Sequence, residues 1–157
     1  MHRTKIEWCD MAWSPVTGCL HTVNECAVAK ECYARKIAKR FVPRLLENDD
    51  KSAIMPGGVS LARALPSQAF QPLFWPDRLD QPSKVKKSQR VFVVSMGDLF
   101  GEWVPDSWVE QVFAACERAP QHTYFFLTKN PDRYTHFFGT GLWDFAVRTN
   151  VYFGLTI

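Results

Sequence analysis

Arg90-Val91-Phe92-Val93-Val94-Ser95 is a short continuous apolar run rich in β-branched residues, the pattern of a strand covered on both faces. Thr123-Tyr124-Phe125-Phe126-Leu127-Thr128 has the same character, and so does the closing run Asn150-Val151-Tyr152-Phe153-Gly154-Leu155-Thr156-Ile157. A helix fits between the first two. After Pro105, the residues Trp108, Val109, Val112, Phe113, Cys116 and Ala119 share one face, and Pro120 stops the helix. Between the second and third runs, Asn130-Pro131-Asp132 supplies an N-cap, a proline suited to a first helical turn and an acid near the helix N-terminus. That helix carries Tyr134, Phe137 and Phe138 and ends at Gly139. Strand, helix, strand, helix, strand is the grammar of parallel βα units, so the expected class is α/β. Too few strands are present to close a parallel barrel. We therefore read the chain as the N-terminal portion of a longer protein, or a truncated copy of one.

Upstream the pattern loosens. Residues 43–87 hold six of the ten prolines and the Gly57-Gly58 pair, so an irregular segment with short elements is expected there. Phe70 to Trp75 reads as a strand and Asp77 to Leu79 as a helical turn. Cys32 to Phe41 reads as a helix with Tyr33, Ile37 and Phe41 on one apolar stripe. Ala12-Trp13-Ser14-Pro15-Val16 carries a short first strand, and a cysteine loop follows over residues 18–32.

The 157 residues amount to one domain's worth of chain, and 46% hydrophobic with 14% aromatic residues excludes a disordered segment. The formal charge of +3 comes partly from two runs, Lys30 to Arg44 and Lys84 to Arg90, which read as a solvated helix face and a loop. A nucleic-acid partner is thus weakly supported. No apolar stretch is long enough to span a bilayer, so no membrane partner is expected. Met1 to Trp8 lacks the apolar core of a secretory signal. The expected compartment is a reducing cytoplasm, where cysteines serve as ligands, redox groups or core residues.

Four of the five cysteines fall within the first 32 residues. Cys19, Cys26 and Cys32 are three thiols of one loop, and three thiolates on a cubane iron–sulfur cluster leave one iron open to a small molecule. Two other readings compete at this point. Cys19, His21, Cys26 and Cys32 could close a structural zinc site, or the cysteines could be small core residues. Cys9 could also replace one of the three.

Several segments, in order along nearly the whole chain, carry a resemblance. They are Lys5-Ile6-Glu7-Trp8-Cys9-Asp10, Trp13-Ser14-Pro15-Val16-Thr17-Gly18-Cys19, Cys32-Tyr33-Ala34-Arg35, Ser95-Met96-Gly97-Asp98-Leu99-Phe100, Gln121-His122-Thr123, Leu127-Thr128-Lys129 and Asn150 to Ile157. Together they resemble a phage- and prophage-associated family of three-cysteine proteins like the radical S-adenosylmethionine (SAM) proteins. The resemblance implies a partial parallel (β/α) barrel of radical-SAM type, in one incomplete domain over residues 1–157. It implies a 4Fe–4S cluster on Cys19, Cys26 and Cys32, SAM as the small-molecule partner, and an electron-donor protein. SAM would be cleaved reductively to a 5′-deoxyadenosyl radical, and no substrate is implied. Six and then five residues separate the cysteines here, where the usual radical-SAM pattern has three and two.

In parallel barrels functional groups collect at the C-terminal ends of strands. Those ends are Ser95 to Asp98, Thr128 to Asn130 and Gly154 to Ile157. By the resemblance Gly97 and Asp98 take the SAM amino group; alternatively Asp98 starts a turn and caps local backbone groups. Thr128 and Lys129 could meet a carboxylate or phosphate, or simply lead into the Asn130 cap. Cys116 and Trp108 read as core, and His122 as structural.

Overall fold

The computed structural model describes residues 1–21, 25–47, 53–58, 70–138 and 150–156. Along the chain run β1 (His2–Arg3), β2 (Met11–Trp13), β3 (Val16–Thr17), α1 (Tyr33–Glu47), β4 (Leu73–Phe74) and a 3-10 turn (Pro76–Arg78). There follow α2 (Gln81–Lys84), β5 (Arg90–Val93), α3 (Asp106–Glu117), β6 (Thr123–Thr128), α4 (Asp132–Phe138) and β7 (Val151–Leu155). β3 and β4 form a small antiparallel pair.

The main sheet has the order β1-β2-β5-β6-β7, and only β1 runs antiparallel to its neighbour. From β2 onward each strand lies beside the one before it in the chain, apart from the excursion that carries β3 and β4. The described strands make an open sheet and do not close into a barrel. Among the described residues no helix is long and apolar enough to cross a membrane.

Helices α3 and α4 pack on the same face. Val91, Val93, Tyr124 and Phe126 meet Trp108, Val109, Val112, Phe113 and Cys116 of α3 and Tyr134 and Phe137 of α4. Phe100 sits among them, with ring centroids 4.7 Å from Tyr134, 6.0 Å from Phe126 and 6.2 Å from Phe153. Each fully buried side chain of this size contributes ~1.5–3 kcal/mol, so this one layer fixes the strand register. α3 begins at Asp106 after Pro105 and is followed by Ala119 and Pro120, as its periodicity requires.

The expectation of strands covered on both faces is corrected. β6 alternates, with Tyr124, Phe126 and Thr128 buried while Thr123, Phe125 and Leu127 are partly exposed. The runs are continuous in hydrophobicity because the second face is also apolar. It carries Phe92, Phe125, Leu127 and Tyr152, and Trp8 lies against Phe92 and Phe125 at 4.9 and 5.6 Å. α1 also differs from its reading. It continues past Pro43 to Glu47, and its buried residue near the start is Ala34, with Tyr33 54% exposed. The side chains of Phe41 and Phe138, and all of Gly139 and Ile157, lie outside the described residues.

Candidate cofactor site

The chain leaves β5 through a strained residue. Val94 has φ 58°, a left-handed conformation that a β-branched residue adopts at a cost of order 1–3 kcal/mol, and it is 3% exposed. Its N–H donates to Trp13 O (2.7 Å), and the turn that follows brings Met96 and Gly97 against the start of the cysteine loop. Gly18 N–H donates to Met96 O (2.9 Å), and Gly18 forms a parallel bridge with Gly97. Both positions need glycine. A Cβ on Gly97 would stand 2.6 Å from Gly18 O, and one on Gly18, at φ +91°, would stand 2.1 Å from Gln71 O. The absent side chain of Gly97 thus makes room for the cysteine loop itself.

Asp98 is the hub of the site. It is 5% exposed, and Oδ1 accepts from Thr128 Oγ1 (2.7 Å) and Phe100 N (3.0 Å). Oδ2 accepts from Lys129 N (3.0 Å) and Asn130 Nδ2 (3.3 Å), and His21 Nε2 lies 3.3 Å away. One carboxylate therefore holds the end of β5, the end of β6 and the cysteine loop together. It accepts locally from Phe100 N, and it lines the same cavity as the cysteines. Thr128 is just as fully engaged, since its hydroxyl also accepts from Asn130 N (2.9 Å). His21 is held further by the edge of Trp103, 4.9 Å away, and its carbonyl accepts from Arg35 Nη2 (3.2 Å).

Cys19, Cys26 and Cys32 line one cavity of about 410 Å³ with Gly97, Asp98 and Thr128. Cys19 enters from the start of the loop, its N–H donating to Phe70 O (3.1 Å). Cys26 lies in the turn before α1, and Cys32 immediately precedes that helix. All five cysteines are free thiols. Burial pushes the Cys19 thiol up to about 11; the His21 main-chain N–H opposes this, and Asp98, Cys32 and Cys26 add to it. Among the described residues, no three His, Cys, Asp or Glu side chains are grouped closely enough to hold a single metal ion.

The other sequence candidates separate cleanly. Cys9 is buried, and its cavity is lined by Arg3, Thr4, Asp10 and Lys87, apart from the three loop cysteines. Cys116 is fully buried in the core. His122 is fully buried as well, accepting from Gln89 N through Nδ1 (3.2 Å) and facing Pro82 O through Nε2 (3.0 Å). Lys129 lines the cysteine cavity, and its Nζ donates to Thr156 Oγ1 (2.7 Å). The sequence pattern predicts a helix cap at Asn130. Its side-chain nitrogen instead reaches His21 Nε2 (3.0 Å) and Asp98, a site role that the Asn-Pro-Asp pattern conceals. Tyr33 adds a contact that only tertiary structure brings about, its hydroxyl donating to Ser95 O.

These features define an α/β chain with a mostly parallel sheet and a thiol-lined cavity at the C-terminal ends of its strands. Residues 3–157 match the family described as Protein of unknown function (DUF5131), and the chain belongs to that family. No curated protein and no solved structure matches it.

Proposed function

We propose that this chain is a radical-SAM-type protein with a partial parallel (β/α) barrel. Cys19, Cys26 and Cys32 hold a 4Fe–4S cluster, and SAM is the small-molecule partner. The observation that carries the reading is the convergence of those three thiols on one cavity beside the ends of β5 and β6. The winding supports it: successive strands lie side by side, and α3 and α4 occupy one face, as in a barrel wall. In a structural zinc site His21 would be the fourth ligand. Its Nε2 already lies against Asp98 Oδ2 and Asn130 Nδ2, which counts against ligation through that nitrogen.

When bound, a cluster with one iron left open supplies the electron for reductive cleavage of SAM, and reduction in turn calls for an electron-donor protein. The chain's own contribution is positional. Asp98 already accepts from four donors, so it acts by fixing Gly97, Thr128 and Lys129 around the cavity rather than by offering a spare oxygen. Cys19 must lose its proton on ligation, and burial, which disfavours the bare thiolate, makes that loss depend on the cation that replaces the proton. Five free thiols fit a reducing cytoplasm.

Anaerobic reconstitution tests the proposal. The expected product is brown, with iron and sulfide in cubane proportion, and on reduction it forms 5′-deoxyadenosine from SAM. Cys19→Ala, Cys26→Ala and Cys32→Ala should each lose iron. Stoichiometric zinc in a colourless, sulfide-free protein overturns it.

A further inference from the structure

The open face of the sheet runs up to the cysteine cavity, and its residues are graded along the strands. Register places Phe92 beside Phe125 and Phe125 beside Tyr152, so three strands contribute one aromatic layer. Phe125 and Tyr152 stack at 5.2 Å and 16°, and Trp8 leans on Phe92 and Phe125. Two residues further along come Leu127 and Gly154, paired in register. A Cβ on Gly154 would lie 2.7 Å from Leu127 Cδ2, so glycine is what lets Leu127 lie flat against β7. Two residues further again are Lys129 and Thr156, joined by their side chains. A cavity of about 410 Å³ over Trp8, Phe125, Leu127 and Tyr152 shares Leu127 with the cysteine cavity, so the two are contiguous along β6.

At the upper end Lys129 stands beside Asp98, whose buried carboxylate is already taken up by four donors. Lys129 is the one lysine or arginine among the described residues lining the cysteine cavity, and no described carboxylate lies within ion-pairing distance of it. Glu31, also on the cavity wall, is paired with Lys36. An aromatic wall below a tethered ammonium is complementary to an anion carrying a flat apolar body.

We propose that this face is the substrate site: the flat apolar part of the molecule lies on Trp8, Phe92, Phe125 and Tyr152, and its carboxylate or phosphate meets Lys129. The word substrate rests on the radical-SAM reading of the adjoining cavity; the binding site itself does not.

The test needs no cluster. The apo chain is titrated with 8-anilinonaphthalene-1-sulfonate and with its uncharged counterpart N-phenyl-1-naphthylamine, following fluorescence and stoichiometry. One saturable site is expected, with the sulfonate bound about two- to fivefold more tightly, the range an exposed ion pair allows, and less so at high salt. Lys129→Met should erase the difference while leaving the neutral dye unchanged. Trp8→Ala should weaken both dyes, and Lys84→Met, on the distant α2 surface, neither. Equal binding of the two dyes, non-saturating uptake, or a Lys129→Met variant that keeps the sulfonate preference or loses both dyes overturns the proposal. Iron and sulfide content, measured separately after reconstitution, reports on the cluster. Failure of one reading is therefore distinguishable from failure of the other.

Discussion

Replacing Asp98 with alanine removes the acceptor on which two strand ends and the cysteine loop converge. The carboxylate is 5% exposed and takes four donors: Phe100 N, Thr128 Oγ1, Lys129 N and Asn130 Nδ2. Alanine orphans all four, but water in the cavity reaches the Lys129 and Asn130 side, where both residues are partly exposed. Phe100 and Thr128 are each 1% exposed, and no water replaces the lost acceptor for them. At ~1–3 kcal/mol for each buried orphan, the loss centres near 4 kcal/mol. For a chain of this size roughly 2–4 °C of Tm accompany each kcal/mol, so Tm should fall by about 10 °C. Asp98→Asn keeps one oxygen but turns an amide NH2 toward existing donors, so it should lose about half as much. Urea and thermal unfolding of the reduced apo chain, followed by far-UV circular dichroism, measures both. A loss below about 1 kcal/mol for Asp98→Ala would refute the hub, since it would mean that the donors find other acceptors at no cost.

Gly97→Ala drives a Cβ to 2.6 Å from Gly18 O, backbone against backbone, and should cost about 1–3 kcal/mol and lower iron uptake on reconstitution; unchanged Tm and full loading would sink this. Cys116→Ala should cost about 1 kcal/mol in urea unfolding and leave iron content intact, because its sulfur fills core space. Asp106 is held below its ordinary value by the His136 hydrogen bond and by Arg133. Its contribution is therefore fully present above the ordinary carboxylate pKa of about 4 and is lost as pH falls through the lower folded value. Asp106→Asn should flatten that acid limb of the urea midpoint against pH, and an unaltered limb would count against the pairing.

The elements that the sequence specified best are those whose pattern is local. α3 and α4 follow from a single apolar stripe each, and β5, β6 and β7 from runs of β-branched and aromatic residues bounded by turns. Which face of those strands is covered was not legible, because a strand buried on both sides and one with a second, partly open aromatic face give the same uninterrupted run. α1 misled for another reason. Tyr33 and Ile37 form a plausible stripe, yet the Tyr33 hydroxyl reaches Ser95 O at the cavity with the residue 54% exposed, and Ala34 takes the buried position. At the site, the clustering of Cys19, Cys26 and Cys32 is written in their spacing. The Asp98 hub is not, because its partners His21, Phe100, Thr128, Lys129 and Asn130 come from three separate parts of the chain. Asn130 had an adequate local explanation as a cap, and that explanation hid its tertiary one.

The register of β2 on β5 sets the order in which the site comes into being. Met11 pairs with Val91 and Trp13 with Val93, so the chain leaves the sheet after β2 and returns only at β5. Cys19, Cys26 and Cys32 all lie on that excursion, while β5, β6 and β7 are joined by shorter connections. Closing the longer loop carries the larger entropy cost, about 0.6 kcal/mol more for each doubling, and distant pairings form more slowly. The C-terminal strands are thus poised to assemble first, with the N-terminal strand docking last and carrying the cysteines onto Gly97 and Asp98 in the same event. During synthesis the order is harsher still: the three thiols emerge from the ribosome before the strands that will enclose them exist. Until then they are open to whichever metal or oxidant reaches them first, so what arrives before β2 docks bears on what the cavity finally contains.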